Sequence, residues 1–108
     1  MAAIGRFFDV ARLDDVVAGA AAVVTVSETA VAIFNVDGRL YAVEDACVNC
    51  GSSIAAGLLA GGEVTCSGCR WRYEVTTGRV PGVPALTVNT FLVKTVGARI
   101  MVGNKTDA

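Results

Sequence analysis

Histidine is absent from this chain of 108 residues. That absence removes imidazole acid/base chemistry, Ser-His and Cys-His nucleophile pairs, and every mixed Cys/His metal site. Long apolar runs are absent too. The longest, Val16 to Val26, is Ala-rich, interrupted by Gly19 and Thr25, and too short to span a bilayer. No basic block occurs, and 9 Lys+Arg against 10 Asp+Glu leave a net charge of −1, which argues against a nucleic-acid partner. Met1-Ala2-Ala3-Ile4-Gly5-Arg6 lacks a charged segment followed by an apolar one, so export is not expected and a cytoplasmic setting is. Asp14-Asp15 and Glu44-Asp45 read as turn and strand-end charges, and Ser52-Ser53 has no base to activate it. No catalytic constellation remains, so the chain is not expected to be an enzyme on its own.

What is present is sulfur. Cys47-Val48-Asn49-Cys50 and Cys66-Ser67-Gly68-Cys69 are two C-x-x-C pairs separated by 15 residues, a strong metal signature. Two thiolate pairs on tight loops can converge on one ion that prefers four sulfur ligands. A reducing compartment favours metal over disulfide for such pairs. Cys47, Cys50, Cys66 and Cys69 are therefore the candidate metal ligands.

The rest of the chain reads as β-structure. Phe7 to Ala11, Ala22 to Val26, Ala30 to Asn35, Leu40 to Glu44, Arg72 to Val75, Thr90 to Val96 and Arg99 to Val102 are strand candidates rich in β-branched and aromatic residues. Asp37-Gly38 is a type I′ hairpin signal, because both turn positions need positive φ. Arg12 to Val16 reads as a turn or short helical turn, and the tail Gly103 to Ala108 as frayed. Residues 45 to 71 carry five glycines, four cysteines and little periodicity, which predicts a loop-rich insert. One all-β domain with a sandwich or barrel base is expected: base about 1–44 and 74–108, metal-binding subdomain about 45–73.

The order of elements, together with Phe34-Asn35-Val36-Asp37-Gly38-Arg39-Leu40-Tyr41-Ala42-Val43-Glu44-Asp45-Ala46-Cys47 and then Gly51, Leu58, Gly61, Cys66, Trp71 and Thr77-Gly78, resembles the Rieske-type ferredoxins over nearly the whole chain. The resemblance implies an antiparallel β-sandwich whose small subdomain grips a [2Fe-2S] cluster through C-x-H and C-x-x-H loops, with two Cys on one iron and two His on the other. Cys47 and Cys66 match the family's cysteines. Asn49 stands at the first histidine position, Cys69 at the second, and Arg70 where a glycine usually follows. A two-histidine centre is impossible here.

Three readings of the sulfurs follow. One ion bound by all four cysteines is favoured, because Cys47-Val48-Asn49-Cys50-Gly51 resembles the C-x-x-C-G knuckle of rubredoxins and zinc ribbons. Iron in that cage makes an electron carrier; zinc makes a structural site or a protein-interaction module. An all-cysteine [2Fe-2S] cluster is the second reading, with its missing ligand at position 49 and its available sulfur at 50. Disulfides are the third. The resemblance implies a small electron-transfer protein whose partners are a reductase and an oxygenase-type acceptor. Trp71 and Tyr73 are expected to divide between covering the site and packing the core, and the apolar stretch Ile54 to Ala60 to shield the metal.

Overall fold

The computed structural model describes residues 7–105; the readings for residues 1–6 and for the last three residues of the tail lie outside them. Eleven strands run in chain order: β1 Phe7–Arg12, β2 Ala21–Val26, β3 Thr29–Val36, β4 Arg39–Glu44, β5 Leu58–Ala60, β6 Glu63–Thr65, β7 Arg72–Glu74, β8 Arg79–Val80, β9 Val83–Thr87, β10 Thr90–Val96 and β11 Arg99–Lys105. A single 3-10 turn, Leu13–Asp15, links β1 to the next segment. The all-β expectation holds.

Six strands form one antiparallel sheet in the order β1-β11-β10-β4-β3-β2. Its edge strands β1 and β2 come into contact, so the sheet curls into a nearly closed barrel. Hairpin chemistry sets the register. Asp37 and Gly38 take φ of 54° and 92°, as the Asp-Gly signal requires, and Val36 pairs with Arg39 across the turn. Ser27 and Glu28 form the β2–β3 turn with φ of 48° and 69°, with no glycine to announce it. β11 extends to Lys105, beyond the point where the tail was expected to fray.

β3 explains why its sequence is a continuous apolar run rather than an alternating one. Successive side chains point to opposite faces of a strand. Val31 and Ile33 fill the barrel interior with Val16, Val26, Ala42, Ile100 and Val102. Ala32 and Phe34 point the other way, into a second core with Val43, Cys47, Ile54, Val64, Cys66 and Tyr73. Both faces are covered, so both parities are apolar. Asn35 is the buried polar residue at the strand's end. Its amide donates to the Val16 carbonyl at 2.8 Å and its side-chain oxygen accepts from the Gly38 N–H at 2.8 Å, tying the hairpin turn to the segment after β1.

In a second sheet, β5-β6-β7, the first two strands lie within the stretch read as loop-rich, and β7 is the strand expected from Arg72 to Val75. The two cysteine loops flank it, one before β5 and one between β6 and β7. The hairpin β5–β6 turns at Gly61-Gly62, both with positive φ.

Candidate metal centre

Each cysteine pair sits on a loop of the same construction. Gly51 N–H donates to the Cys47 carbonyl at 2.9 Å, and Cys47 N–H donates to Ser52 O at 2.9 Å. In the second loop Arg70 N–H donates to the Cys66 carbonyl at 2.8 Å, and Cys66 N–H donates to Trp71 O at 2.7 Å. The fifth residue of each knuckle is left-handed, Gly51 at φ 79° and Arg70 at φ 70°. Glycine adopts that conformation freely; an L side chain there costs roughly 1–2 kcal/mol. Inside each turn, backbone N–H groups aim at the first sulfur: those of Cys50 and Asn49 at Cys47, those of Cys69 and Gly68 at Cys66.

The two loops meet closely. A Cβ on Gly68 would stand 2.5 Å from Ser52 Oγ and 3.0 Å from Cys50 Sγ, so a larger residue where the second loop crosses the first would have to displace those two side chains. Asp45 braces the first loop from behind, accepting from Ser53 Oγ at 2.7 Å and from Ala55 N–H at 2.8 Å. Ile54, fully buried beside Cys47 and Cys66, plugs the base of the site. The apolar stretch therefore splits: Ile54 shields, whereas Leu58 is 74% exposed.

All four sulfurs converge. Their Sγ atoms lie within 4.8 Å of one another, with Cys47–Cys69 at 3.6 Å and Cys50–Cys66 at 3.5 Å, and all four cysteines are free thiols. A tetrahedral ion with bonds of ~2.3 Å spaces its sulfurs at about 3.8 Å. Two sulfide-bridged tetrahedral irons hold the terminal sulfurs of different irons at least ~5 Å apart. The family's mixed centre does not fit this donor set, which has no histidine; four converging thiols are a donor set that could hold a thiophilic metal.

The thiols differ in environment. Burial pushes Cys47 up, but hydrogen bonds from the Tyr73 hydroxyl, two backbone N–H groups and Cys69 outweigh it and bring the thiol down to about 6. The Ser52 hydroxyl, 3.3 Å away, and the Ser52 N–H lower exposed Cys50. Burial pushes Cys66 up to about 11 despite its N–H donors. Hydrogen bonding thus favours the thiolate at Cys47, whereas burial disfavours it at Cys66.

Tyr73 was expected either to cover the site or to pack the core; the hydrogen bonds of its hydroxyl were not foreseen. Its hydroxyl accepts from Val48 N–H at 3.0 Å and lies 3.2 Å from Cys47 Sγ, to which it can donate through its own proton when that sulfur is a thiolate. Burial, then the bond to Cys47, pushes the phenol well above its ordinary value, which keeps that proton in place. Tyr73 is both core and cover; Trp71, half-buried, packs against the same core. The signal was the alternation Trp71-Arg72-Tyr73 directly after the second knuckle, which sends both aromatics to one face of β7. Tyr73→Phe is expected to lower the potential of an iron-loaded centre by tens of millivolts, because a hydrogen bond to sulfur favours the more negative reduced state. It should also destabilise the fold by about 1–2 kcal/mol, since Val48 N–H loses its acceptor. Voltammetry and denaturant titration measure the two effects.

A sequence model of the Rieske [2Fe-2S] domain matches residues 6–96. The chain belongs to the Rieske family. Among curated proteins it is 30% identical, over 90% of its own length and 94% of the other's, to the ferredoxin component of a naphthalene 1,2-dioxygenase system from Pseudomonas aeruginosa. Its fold matches the ferredoxin of carbazole 1,9a-dioxygenase from Nocardioides aromaticivorans with a TM-score of 0.82 at 24% identity, covering 91% of this chain and 97% of that one. It matches equally a ferredoxin-sized chain from a complex of reduced oxygenase and oxidized ferredoxin of a carbazole 1,9a-dioxygenase, with a TM-score of 0.84 at 23% identity over 94% and 96% of the two chains. Within this Rieske fold, the present chain replaces the family's two histidines by Asn49 and Cys69 and adds Cys50. Among the described residues, no helix is long and apolar enough to cross a membrane.

Proposed function

We propose that this protein is a small electron carrier, a Rieske-type ferredoxin component whose centre is one iron ion held by Cys47, Cys50, Cys66 and Cys69. The observation that carries the reading is the mutual approach of the four Sγ atoms to within 4.8 Å, with two of the pairs at 3.5 and 3.6 Å, near the sulfur spacing of a tetrahedral cage. Iron bound there would supply a reversible one-electron couple. The chain's own residues do the rest: knuckle N–H groups and the Tyr73 hydroxyl stabilise charge on sulfur, while Ile54 and Val64 exclude water from the inner side. The division of labour is a base of about residues 1–44 and 74–108 and a metal-binding part of about 45–73. By analogy with relatives that are ferredoxin components, and with a solved oxygenase–ferredoxin complex, the partners are a reductase that donates electrons and an oxygenase-type acceptor, in the cytoplasm.

Metal and sulfide assays on purified protein test the reading. Red protein with one iron per chain and no acid-labile sulfide is expected. Brown protein with two irons and sulfide would replace the single ion by an all-cysteine [2Fe-2S] cluster, which family membership favours. Colourless protein that takes only zinc, even when expressed with excess iron, would make the chain an interaction module.

The potential of the iron form is expected to be nearly flat from about pH 6 to 9. Family centres carry imidazoles that lose protons on oxidation, whereas bound thiolates are already deprotonated. Tyr73, whose titration is raised far above this window, contributes no proton. Voltammetry that found a slope near one proton per electron would reveal a titrating group coupled to the centre.

A further inference from the structure

Resting on the electron-carrier reading, we infer that Arg70 is the recognition residue of the metal-bearing end, and that the partner it meets presents a carboxylate beside an apolar surface. Arg70 occupies a left-handed backbone position, φ 70°, whose counterpart in the first knuckle is glycine. Glycine there would relieve strain and keep the Cys66 hydrogen bond, so the arginine side chain stands there at a backbone cost. Strain of this kind marks functional positions. The Arg70 side chain is exposed and has no ion pair or hydrogen bond among the described residues.

The surrounding charges isolate it. Residues 45 to 73 carry two acids and two arginines. Asp45 is occupied by Ser53 and Ala55, and Glu63 pairs with Arg72 at 3.5 Å. One unpaired cation is left at this end of a chain whose net charge is −1. Arg70 forms the wall of a groove of about 400 Å³ with Ala56, Gly57, Leu58, Thr65 and Ser67, and the groove reaches Cys66. Leu58, the most exposed large hydrophobic residue among those described, supplies its apolar lip. A carboxylate on the guanidinium would seat an apolar neighbour on Leu58 and bring the partner against the outer side of the second cysteine loop, over fully buried Cys66. Guanidinium recognises carboxylate by a two-pronged hydrogen bond, which orients the partner as well as attracting it.

The test uses full-length zinc-loaded protein, which is diamagnetic, and hexacyanocobaltate(III), a redox-inert trianion, as the probe. Amide resonances of Leu58, Ser67 and Arg70 are expected to shift on titration, less so as salt rises. In Arg70→Gly those shifts should vanish, while the thermal midpoint rises by a few degrees because the strain is gone. Arg39→Ala, which removes an equal charge from the exposed β3–β4 turn, should leave the shifts at the groove intact. Persistence of the shifts in Arg70→Gly, shifts spread evenly over the surface, or a drop in the thermal midpoint of Arg70→Gly would each overturn the inference. The titration needs no electron transfer, so protein that refuses iron refutes the carrier reading without deciding this one.

Discussion

Cys50→Ser and Cys69→Ser are each expected to empty the centre as thoroughly as Cys47→Ser. A tetrahedral thiolate cage binds with about 10–16 kcal/mol, so losing one of four ligands removes roughly 3 kcal/mol or more, at least ~100-fold in affinity. Cys50 gives the cleanest measurement. Its side chain is exposed, with Ser52 Oγ and Cys66 Sγ as hydrogen-bond partners, so serine there leaves the buried core untouched. Cys66→Ser also damages the core, because Cys66 is fully buried against Ile54 and Val64. Cys50 discriminates for a second reason. In the family's pattern position 50 is no ligand, and the partner of Cys47 on its loop stands at 49. Metal content and the charge-transfer spectrum of Cys50→Ser, measured beside wild type, decide the matter. Retention of full metal and an unchanged spectrum would sink the four-sulfur site.

Much of the fold was legible because the base strands obey local rules. The Asp37-Gly38 turn and the runs around it fall within one or two residues of their expected ends, and the last hairpin matches except that β11 runs three residues further. Where the reading fell short, tertiary contacts had overridden local signals. Ser27-Glu28 turns tightly without glycine because the six-residue β2–β3 ladder, Ala21↔Phe34 through Val26↔Thr29, holds it there. β5 and β6 were taken for loop because three-residue strands show no period, although Gly61-Gly62 between Leu58-Leu59-Ala60 and Glu63-Val64-Thr65 is a hairpin signal. The cysteines were found at once, since spacing alone announces them. Their helpers were not. Asp45 and Tyr73 act across 10 and 25 residues of chain, on Ala55 and Val48, and no local pattern encodes such a bond. Arg70 showed in sequence only as a departure from glycine; its φ shows what that departure costs.

Removing the metal is expected to loosen the cysteine loops and leave the barrel folded. Zinc fingers unfold without metal because metal supplies most of their folding free energy. Here the barrel has its own interior, with Val16, Val31, Ile33, Ile100 and Val102 fully buried and sealed on both sides by paired strands. None of those residues touches sulfur chemistry. The loops are different. Asn49 to Gly51 and Ser67 to Gly68 are exposed and held by one turn's worth of hydrogen bonds each, and without metal the four thiols contribute only weak S–H contacts. Between these extremes lies the second core, where Cys47 and Cys66 pack with Phe34, Ile54 and Tyr73. It should slacken without dissolving, because thiols bury well as small apolar groups. After chelation, hydrogen exchange of loop amides should therefore accelerate by about two orders of magnitude or more, while β3 and β4 keep their protection. Amides from Ala30 to Glu44 exchanging in step with the loops would show the opposite coupling: Phe34 and Ala32 on the outer face of β3 would then be transmitting the loss of metal into the barrel, and the metal-binding part would not be separable from its base.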